Sequence, residues 1–182
     1  MIRAKKRFGQ HFLEPAWVAK LIASLKVSLD DTFLEIGPGR GALTAPLAPS
    51  VRRLIAVEID RELAAALPSQ LPAQARIVEG DFLEVDLRSL LNGEQLPVRV
   101  VGNLPYNVSS PILFKLLGAA DQGRVLRDAT LMLQKEVADR LVAPPGTSDY
   151  GALAIQVALL ADVERVLTLP PGDRKSTRLN SS

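Results

Sequence analysis

The amino-acid sequence predicts an α/β fold in which a mainly parallel sheet is covered by helices on both faces. Short apolar runs rich in valine, isoleucine and leucine alternate along the chain with segments of helical periodicity. These runs contain few polar positions, as expected of strands that are buried on both faces. The chain of 182 residues, with 47% hydrophobic side chains, is long enough to bury one core in a single domain.

The predicted elements follow one another from Pro15 onward. Pro15 stands in the first turn of an amphipathic helix, whose apolar side carries Val18, Leu21, Ile22 and Leu25. The predicted strands occupy residues 32–36, 54–57, 76–78, 98–101 and 129–133. The helices that alternate with them occupy residues 43–47, 62–67, 85–91, 112–117 and 135–142. Because parallel α/β sheets bind ligands at the carboxyl ends of their strands, the residues after each strand are the candidates for function.

The composition excludes several kinds of site. The chain has no cysteine and a single histidine, which excludes disulfides and thiolate sites and argues against a histidine metal centre, so we expect no metal. No apolar run approaches the roughly 20 residues that cross a bilayer. The basic N-terminus lacks the apolar stretch of a signal peptide. We therefore expect a soluble, cytoplasmic protein without membrane contacts.

The positive charge is concentrated at the two ends of the chain. Arg3, Lys5, Lys6 and Arg7 form a basic cluster that could bind the phosphates of a nucleic acid, or could simply be solvated. Residues 173–182 hold three cations and one anion and have no structural period. They resemble a translated sequencing adapter, so we expect a non-native tail, the alternative being a genuine polar terminus.

A glycine-rich turn follows the first strand. Gly37, Gly39 and Gly41 allow a sharp turn and the close approach of a ligand to the backbone. Their GxGxG spacing differs from the GxGxxG dinucleotide fingerprint, and the turn alone could be a tight connection between strand and helix. Glu58, at the end of the second strand, could accept hydrogen bonds from both hydroxyls of a ribose.

The third and fourth strands are followed by groups suited to a planar base. Asp81 could accept a hydrogen bond from an exocyclic adenine amine, while Phe82 covers the ring; taken alone, the two residues could simply form a turn. The fourth strand runs into the motif at residues 103–106. The side-chain oxygen of Asn103 and a nearby carbonyl could accept the hydrogens of a target amine, while Tyr106 stacks on its base. Such an arrangement suits methyl transfer to nitrogen; the structural alternative is a proline turn that ends the strand.

Four linked segments carry more specific information. They are residues 6–13, 33–44, 102–111 and 132–141, which read KRFGQHFL, FLEIGPGRGALT, GNLPYNVSSP and MLQKEVADRL. Together they resemble the small-subunit ribosomal RNA adenine dimethyltransferases, and the resemblance covers residues 3–172 in the order of that family. It implies a Rossmann-like, class I S-adenosylmethionine-dependent methyltransferase fold. It also implies dimethylation of two adjacent adenosines near the 3′ end of small-subunit ribosomal RNA during ribosome biogenesis.

The resemblance also implies roles for individual residues. The cofactor S-adenosylmethionine would contact His11, Leu13, Gly37, Glu58, Asp81 and Asn103. The target adenine would be held by Asn103, Leu104, Pro105 and Tyr106. The His11 side chain could equally be a hydrogen-bonded, partly buried residue without a ligand. The implied partner is the immature small ribosomal subunit, and we expect a monomer.

Several alternatives stay open at this point. The erythromycin-resistance methyltransferases of the large subunit share several of these segments. A nicotinamide dehydrogenase would use the glycine turn and Glu58 but leaves residues 103–106 unexplained. A non-catalytic RNA-binding assembly factor would need the basic N-terminus and not the pocket.

We expect residues 1–172, including the basic segment 1–14, to form the catalytic domain. The resemblance implies that a target-site loop and a small helical domain would follow; we expect both to be missing from this chain, and therefore expect cofactor binding but weak methylation.

Overall fold

The computed structural model describes residues 14–121 and 125–168. The basic cluster at residues 3–7 and the tail at residues 173–182 lie outside these ranges. The strands are β1 (Thr32–Ile36), β2 (Arg53–Glu58), β3 (Ala75–Glu79), β4 (Val98–Asn103) and β5 (Leu126–Met132). The helices are α1 (Pro15–Leu25), α2 (Thr44–Leu47), α3 (Arg61–Ala66), α4 (Leu87–Leu90), α5 (Ser109–Asp121), α6 (Lys135–Leu141) and α7 (Ala152–Ala158).

The strands form one sheet in the order β3-β2-β1-β4-β5, and each neighbouring pair is parallel. The chain runs outward from β1 to β3 and then returns to the other side of β1 with β4. This reversal of direction between β1 and β4 is the position at which open α/β sheets bind ligands. None of the helices in the described ranges has the length and apolar character needed to cross a membrane.

Helix α1 shows how the local sequence sets an element. Pro15 begins the helix, where its missing N–H costs nothing, and Lys26 ends it in the left-handed conformation with φ of 47°. Between these ends Val18, Leu21 and Leu25 lie on one side and are buried. The helical spacing in the sequence therefore predicts both the element and the side that packs against the sheet.

Each strand of the sheet's centre divides its side chains between two cores. Phe33, Leu54 and Val101 pack with apolar residues of α1 and α2 on one face. The alternate residues, such as Leu34 and Val100, pack with α4 and α5 on the other face. Helices thus cover both faces of a parallel sheet, and the predicted fold class is confirmed.

Three differences from the sequence-based elements have local causes, and helix α5, at Ser109–Asp121, also extends beyond the predicted residues 112–117 at both ends. Strand β5 begins at Leu126, three residues before the predicted start at Ala129. The sequence pattern places the start too late because Arg127 and Asp128 interrupt the apolar run that identifies a strand. Helix α4 is shorter than predicted, since Asp86 caps its N-terminus by accepting hydrogen bonds from the N–H groups of Arg88 and Ser89. Helix α7 was not predicted, because its short apolar run carries no periodic signal.

An ionic cluster joins the amino ends of the central strands. The guanidinium of Arg99 lies 3.0 Å from the carboxylates of both Asp31 and Asp128. It also lies 4.9 Å from the centre of the Phe33 ring. The Arg127 guanidinium approaches Asp31 from outside at 3.3 Å. The Arg99 side chain is 10% exposed and that of Arg127 is 59% exposed. Of the two cations that contact Asp31, Arg99 is therefore the one shielded from water.

We predict that Arg99→Met destabilises the chain by about 3 kcal/mol, because the largely shielded Asp31 side chain, which is 10% exposed, would lose its main cationic partner. The matched variant Arg127→Met, which removes an exposed cation from the same carboxylate, should cost less than about 1 kcal/mol. Urea unfolding followed by circular dichroism measures both values. Equal costs for the two variants would contradict this account of the cluster.

Candidate functional site

The register of the sheet brings the carboxyl ends of its strands to one edge. Ile36 pairs with Val57 on one side and with Gly102 on the other. Glu58 pairs with Glu79 in turn. This pairing aligns the sequence-predicted residues Gly37, Glu58, Asp81 and Asn103 along the same edge of the sheet. The edge is continuous over the four strands from β3 to β4, because all of them point in the same direction.

The glycine turn keeps backbone groups open at this edge. Gly37 and Gly39 have φ angles of 68° and 59°, which disfavour any other residue. A Cβ atom at either position would meet no atom of residues 14–121 and 125–168 within 4 Å, so this part of the chain leaves space beside the turn. The Gly37 N–H donates to the carbonyl oxygen of Val57 at 2.9 Å and holds the turn against β2. The turn can therefore present its backbone to a ligand.

Glu58 links the second strand to the glycine turn. Its carboxylate is buried and accepts hydrogen bonds from the N–H of Gly39 at 2.8 Å and from the N–H of Asp60 at 2.9 Å. Asp60 is itself fixed, because its side chain caps α3. A carboxylate has about four acceptor positions, so these two bonds leave capacity for ligand hydroxyls. The hydrogen bond from the Gly39 N–H to the Glu58 carboxylate is not predictable from the sequence.

Asp81 lies in a tight loop after β3 and its side chain is exposed. One of its carboxylate oxygens accepts a hydrogen bond from the N–H of Leu83 at 2.9 Å, which sets the orientation of the side chain. The neighbouring Gly80 N–H donates to the backbone oxygen of Glu58 at 2.9 Å. Phe82, expected to cover a base, is instead buried in the core that α5 covers, since the loop turns its ring inward.

The Asn103–Tyr106 motif leaves the sheet at the same edge. Asn103 is the last residue of β4, and the Leu104 N–H donates to the backbone oxygen of Met132 at 3.2 Å. The Leu104 side chain is buried and anchors the motif, while the Tyr106 side chain is 42% exposed at the rim. The Pro105 carbonyl oxygen accepts a hydrogen bond from the N–H of Val108 at 3.3 Å, immediately before α5 begins. The motif thus combines a fixed backbone with an accessible aromatic ring.

Gly102 has a role that the sequence analysis did not assign. A Cβ atom at this position would lie 3.0 Å from the backbone oxygen of Ile36 and 3.1 Å from its Cβ. Only glycine therefore allows β4 to approach β1 this closely just before Asn103. A glycine inside an otherwise apolar strand is the sequence signal that could have indicated such an approach.

Glu35 is a second residue that the sequence analysis missed. It lies in β1 with its side chain buried, and burial raises its pKa to about 8. The Thr44 hydroxyl opposes this rise in pKa, and the negative charge of Glu58 adds to it. The Oε2 atom of Glu35 has no hydrogen-bond partner within the described part of the chain. At neutral pH a protonated carboxyl group therefore lies next to the strand end that carries the glycine turn.

His11 and Leu13, which the resemblance assigns to the cofactor, lie outside the described residues. Within residues 14–121 and 125–168, no group of three or more acidic or histidine side chains could hold a metal ion.

Comparison with known proteins identifies the family. A family model described as ribosomal RNA adenine dimethylase matches residues 1–176. The chain belongs to this family. It is 47% identical, over 171 residues, to ribosomal RNA small subunit methyltransferase A of Bordetella avium, and the match covers 93% of this chain and 63% of that protein. The chain therefore spans less than two thirds of the length of this curated relative.

Two solved structures have the same fold as this member of the ribosomal RNA adenine dimethylase family. A dimethyladenosine transferase from Plasmodium falciparum is 32% identical, with a TM-score of 0.69. The match covers 82% of this chain and 52% of the Plasmodium chain. The 23S rRNA methyltransferase ErmE is 31% identical, with a TM-score of 0.61, and covers 77% of this chain and 52% of its own. The predicted resemblance and the class I methyltransferase fold are thus confirmed.

The buried acid generates a test of pH dependence. A carboxyl group whose pKa rises from 4.5 to about 8 on folding favours the folded state below pH 4.5, and this stability is lost as the pH rises towards 8. We predict a loss of up to about 5 kcal/mol across that window. Glu35→Gln, which cannot ionise, should flatten the slope, while Glu79→Gln on the exposed side of β3 should not. Urea unfolding at pH 5 to 8 measures the slopes, and equal slopes in wild type and Glu35→Gln would refute the assignment.

Proposed function

We propose that this chain is the catalytic part of an S-adenosylmethionine-dependent methyltransferase that dimethylates the exocyclic amino groups of two adjacent adenosines. The proposed substrate is small-subunit ribosomal RNA near its 3′ end, within the immature subunit and in the cytoplasm. The observation that carries the proposal is the alignment of Glu58, Asp81 and Asn103 at the carboxyl ends of parallel strands. The membership in the ribosomal RNA adenine dimethylase family supports the substrate class. We further propose that the chain acts as a monomer.

The residues at the edge fit S-adenosylmethionine. The open backbone at Gly37 and Gly39 suits the methionine portion, since no Cβ fills the space beside the turn. The buried Glu58 carboxylate keeps acceptor capacity for the two ribose hydroxyls, and the exposed Asp81 carboxylate can accept from the adenine amine. When bound, the cofactor supplies an electrophilic methyl group on a sulfonium. We also assign His11 and Leu13 to cofactor binding.

The Asn103–Tyr106 motif would hold the target base. An adenine amine is a weak nucleophile because its lone pair is delocalised into the ring. In our proposal the Asn103 side-chain oxygen and a nearby carbonyl accept hydrogen bonds from the two N–H groups of this amine. Leu104 and Pro105 fix this geometry. The exposed Tyr106 ring would stack on the extruded base and recover about 1–3 kcal/mol of the cost of unstacking. In-line orientation of amine and methyl then supplies much of the catalysis.

Two alternatives are less well supported. Methylation of large-subunit RNA is suggested by the similarity to ErmE, but a relative named for the small subunit is 47% identical. A non-catalytic assembly factor would have no use for the three aligned acceptors at the sheet edge. The nicotinamide dehydrogenase that the glycine turn allowed is excluded by the family match over residues 1–176.

We predict that the chain binds S-adenosylmethionine, with a micromolar dissociation constant, and does not bind NAD. Asp81→Ala should weaken this binding about tenfold or more, because a charge-assisted hydrogen bond to the adenine is lost. The matched variant Asp30→Ala removes an exposed carboxylate at the opposite edge of the sheet and should bind as wild type. Isothermal titration calorimetry gives the three constants. A folded wild-type chain that fails to bind would disprove the cofactor assignment.

We predict that Tyr106→Ala lowers methyl transfer about tenfold, because base stacking is lost, while cofactor affinity stays within twofold of wild type. Tyr106→Phe keeps the aromatic face and should retain most of the activity. Transfer of labelled methyl groups to immature small subunits, with large subunits as the comparison and enzyme in excess, provides the measurement. Preferential labelling of large subunits would replace the proposed substrate with the alternative one.

A further inference from the structure

Lys115 of α5 contacts the loop that follows β3. Its Nζ donates hydrogen bonds to the backbone oxygens of Leu83 at 2.8 Å and of Val85 at 2.5 Å. The same ammonium group lies 5.4 Å from the centre of the Phe82 ring. One cation therefore holds the loop through two carbonyl groups and an aromatic face.

The loop held in this way is the one that carries Asp81. The backbone oxygen of Asp81 accepts hydrogen bonds from the N–H groups of Glu84 at 2.9 Å and Val85 at 3.1 Å. Its carboxylate accepts from the Leu83 N–H at 2.9 Å. Leu83 orients the Asp81 carboxylate and Val85 holds the Asp81 backbone oxygen, and the carbonyl groups of these same two residues bind Lys115. A shift of this backbone would move the Asp81 carboxylate as well.

The position of Lys115 also connects the two halves of the site. Helix α5 begins at Ser109, whose hydroxyl donates to the backbone oxygen of Tyr106 at 3.2 Å. The buried side chain of Phe82 packs in the same core as Leu104. The helix that follows the target-base motif thus holds the loop proposed to bind the cofactor's adenine, and Lys115 supplies the polar part of that contact.

We propose that Lys115 is a positioning residue for adenine recognition, acting through the Asp81 loop without touching the ligand. This inference rests on the proposed function, in which Asp81 accepts a hydrogen bond from the adenine amine. Lys115→Met keeps the length and apolar stem of the side chain but loses the ammonium group. The substitution should therefore leave the α5 packing in place and release the carbonyls of Leu83 and Val85.

The test compares S-adenosylhomocysteine with S-inosylhomocysteine, which has an oxygen in place of the adenine amine. Wild type should prefer the adenosyl ligand, because Asp81 cannot accept a hydrogen bond from the inosyl ligand's oxygen. Lys115→Met should bind the adenosyl ligand about tenfold more weakly and lose most of this preference. Lys115→Arg, which keeps a cation with several donors, should retain more of the preference than Lys115→Met.

The control variant is Lys20→Met, which removes an exposed lysine from α1 on the opposite face of the sheet and should keep wild-type binding. Urea unfolding of each variant establishes that the chain used for calorimetry is folded. A folded Lys115→Met chain that weakens both ligands equally and keeps the wild-type preference overturns this inference alone. A folded wild type that binds neither ligand overturns the cofactor assignment, and this inference with it. If Lys115→Met does not fold, Lys115→Arg takes its place, and Asp81→Ala serves as the reference for a lost preference. A Lys115→Arg preference below that of wild type supports the inference, and a preference equal to that of wild type overturns it.

Discussion

The parallel pairing of β1 with both β2 and β4 is the constraint on which the site depends. It sets Ile36 level with Val57 on one side and with Gly102 on the other, so three strands end at the same height. Parallel strands of this kind need crossover connections, and these place helices on both faces of the sheet. The edge that results is bordered by loops, whose backbone groups remain available for ligands.

Glycines make this arrangement sterically possible at two levels. At Gly37 and Gly39 the positive φ angles form the turn and leave its backbone open to a ligand. At Gly102 the requirement is spatial, because β1 lies too near for a side chain. The buried Glu58 carboxylate then joins the turn to β2 through the Gly39 N–H. The side of the edge proposed to bind the cofactor is therefore held by this side-chain contact and by the backbone hydrogen bond from Gly37 to Val57.

The two ends of the sheet use charge differently. At the amino ends Arg99 is paired with Asp31 and Asp128, so the buried cation has compensating partners. At the carboxyl ends the carboxylates of Glu58 and Asp81 accept hydrogen bonds from backbone N–H groups, which leaves acceptor capacity for a ligand. Burial raises the pKa of Glu35, one residue before the end of β1, to about 8. The paired charges at the amino ends thus stabilise the fold, while the carboxylates at the carboxyl ends can still accept hydrogen bonds from the proposed ligand.

The sequence by itself determined the parallel α/β class, most of the strands and the candidate residues after each strand, because apolar periodicity and glycine motifs are local signals. It missed the start of β5, where Arg127 and Asp128 interrupt the apolar run. Only the tertiary structure decided that Phe82 is buried and that Lys115 holds the Asp81 loop. These features depend on contacts between α5 and a loop far away in the chain, and the spacing of residues along a sequence contains no record of such contacts.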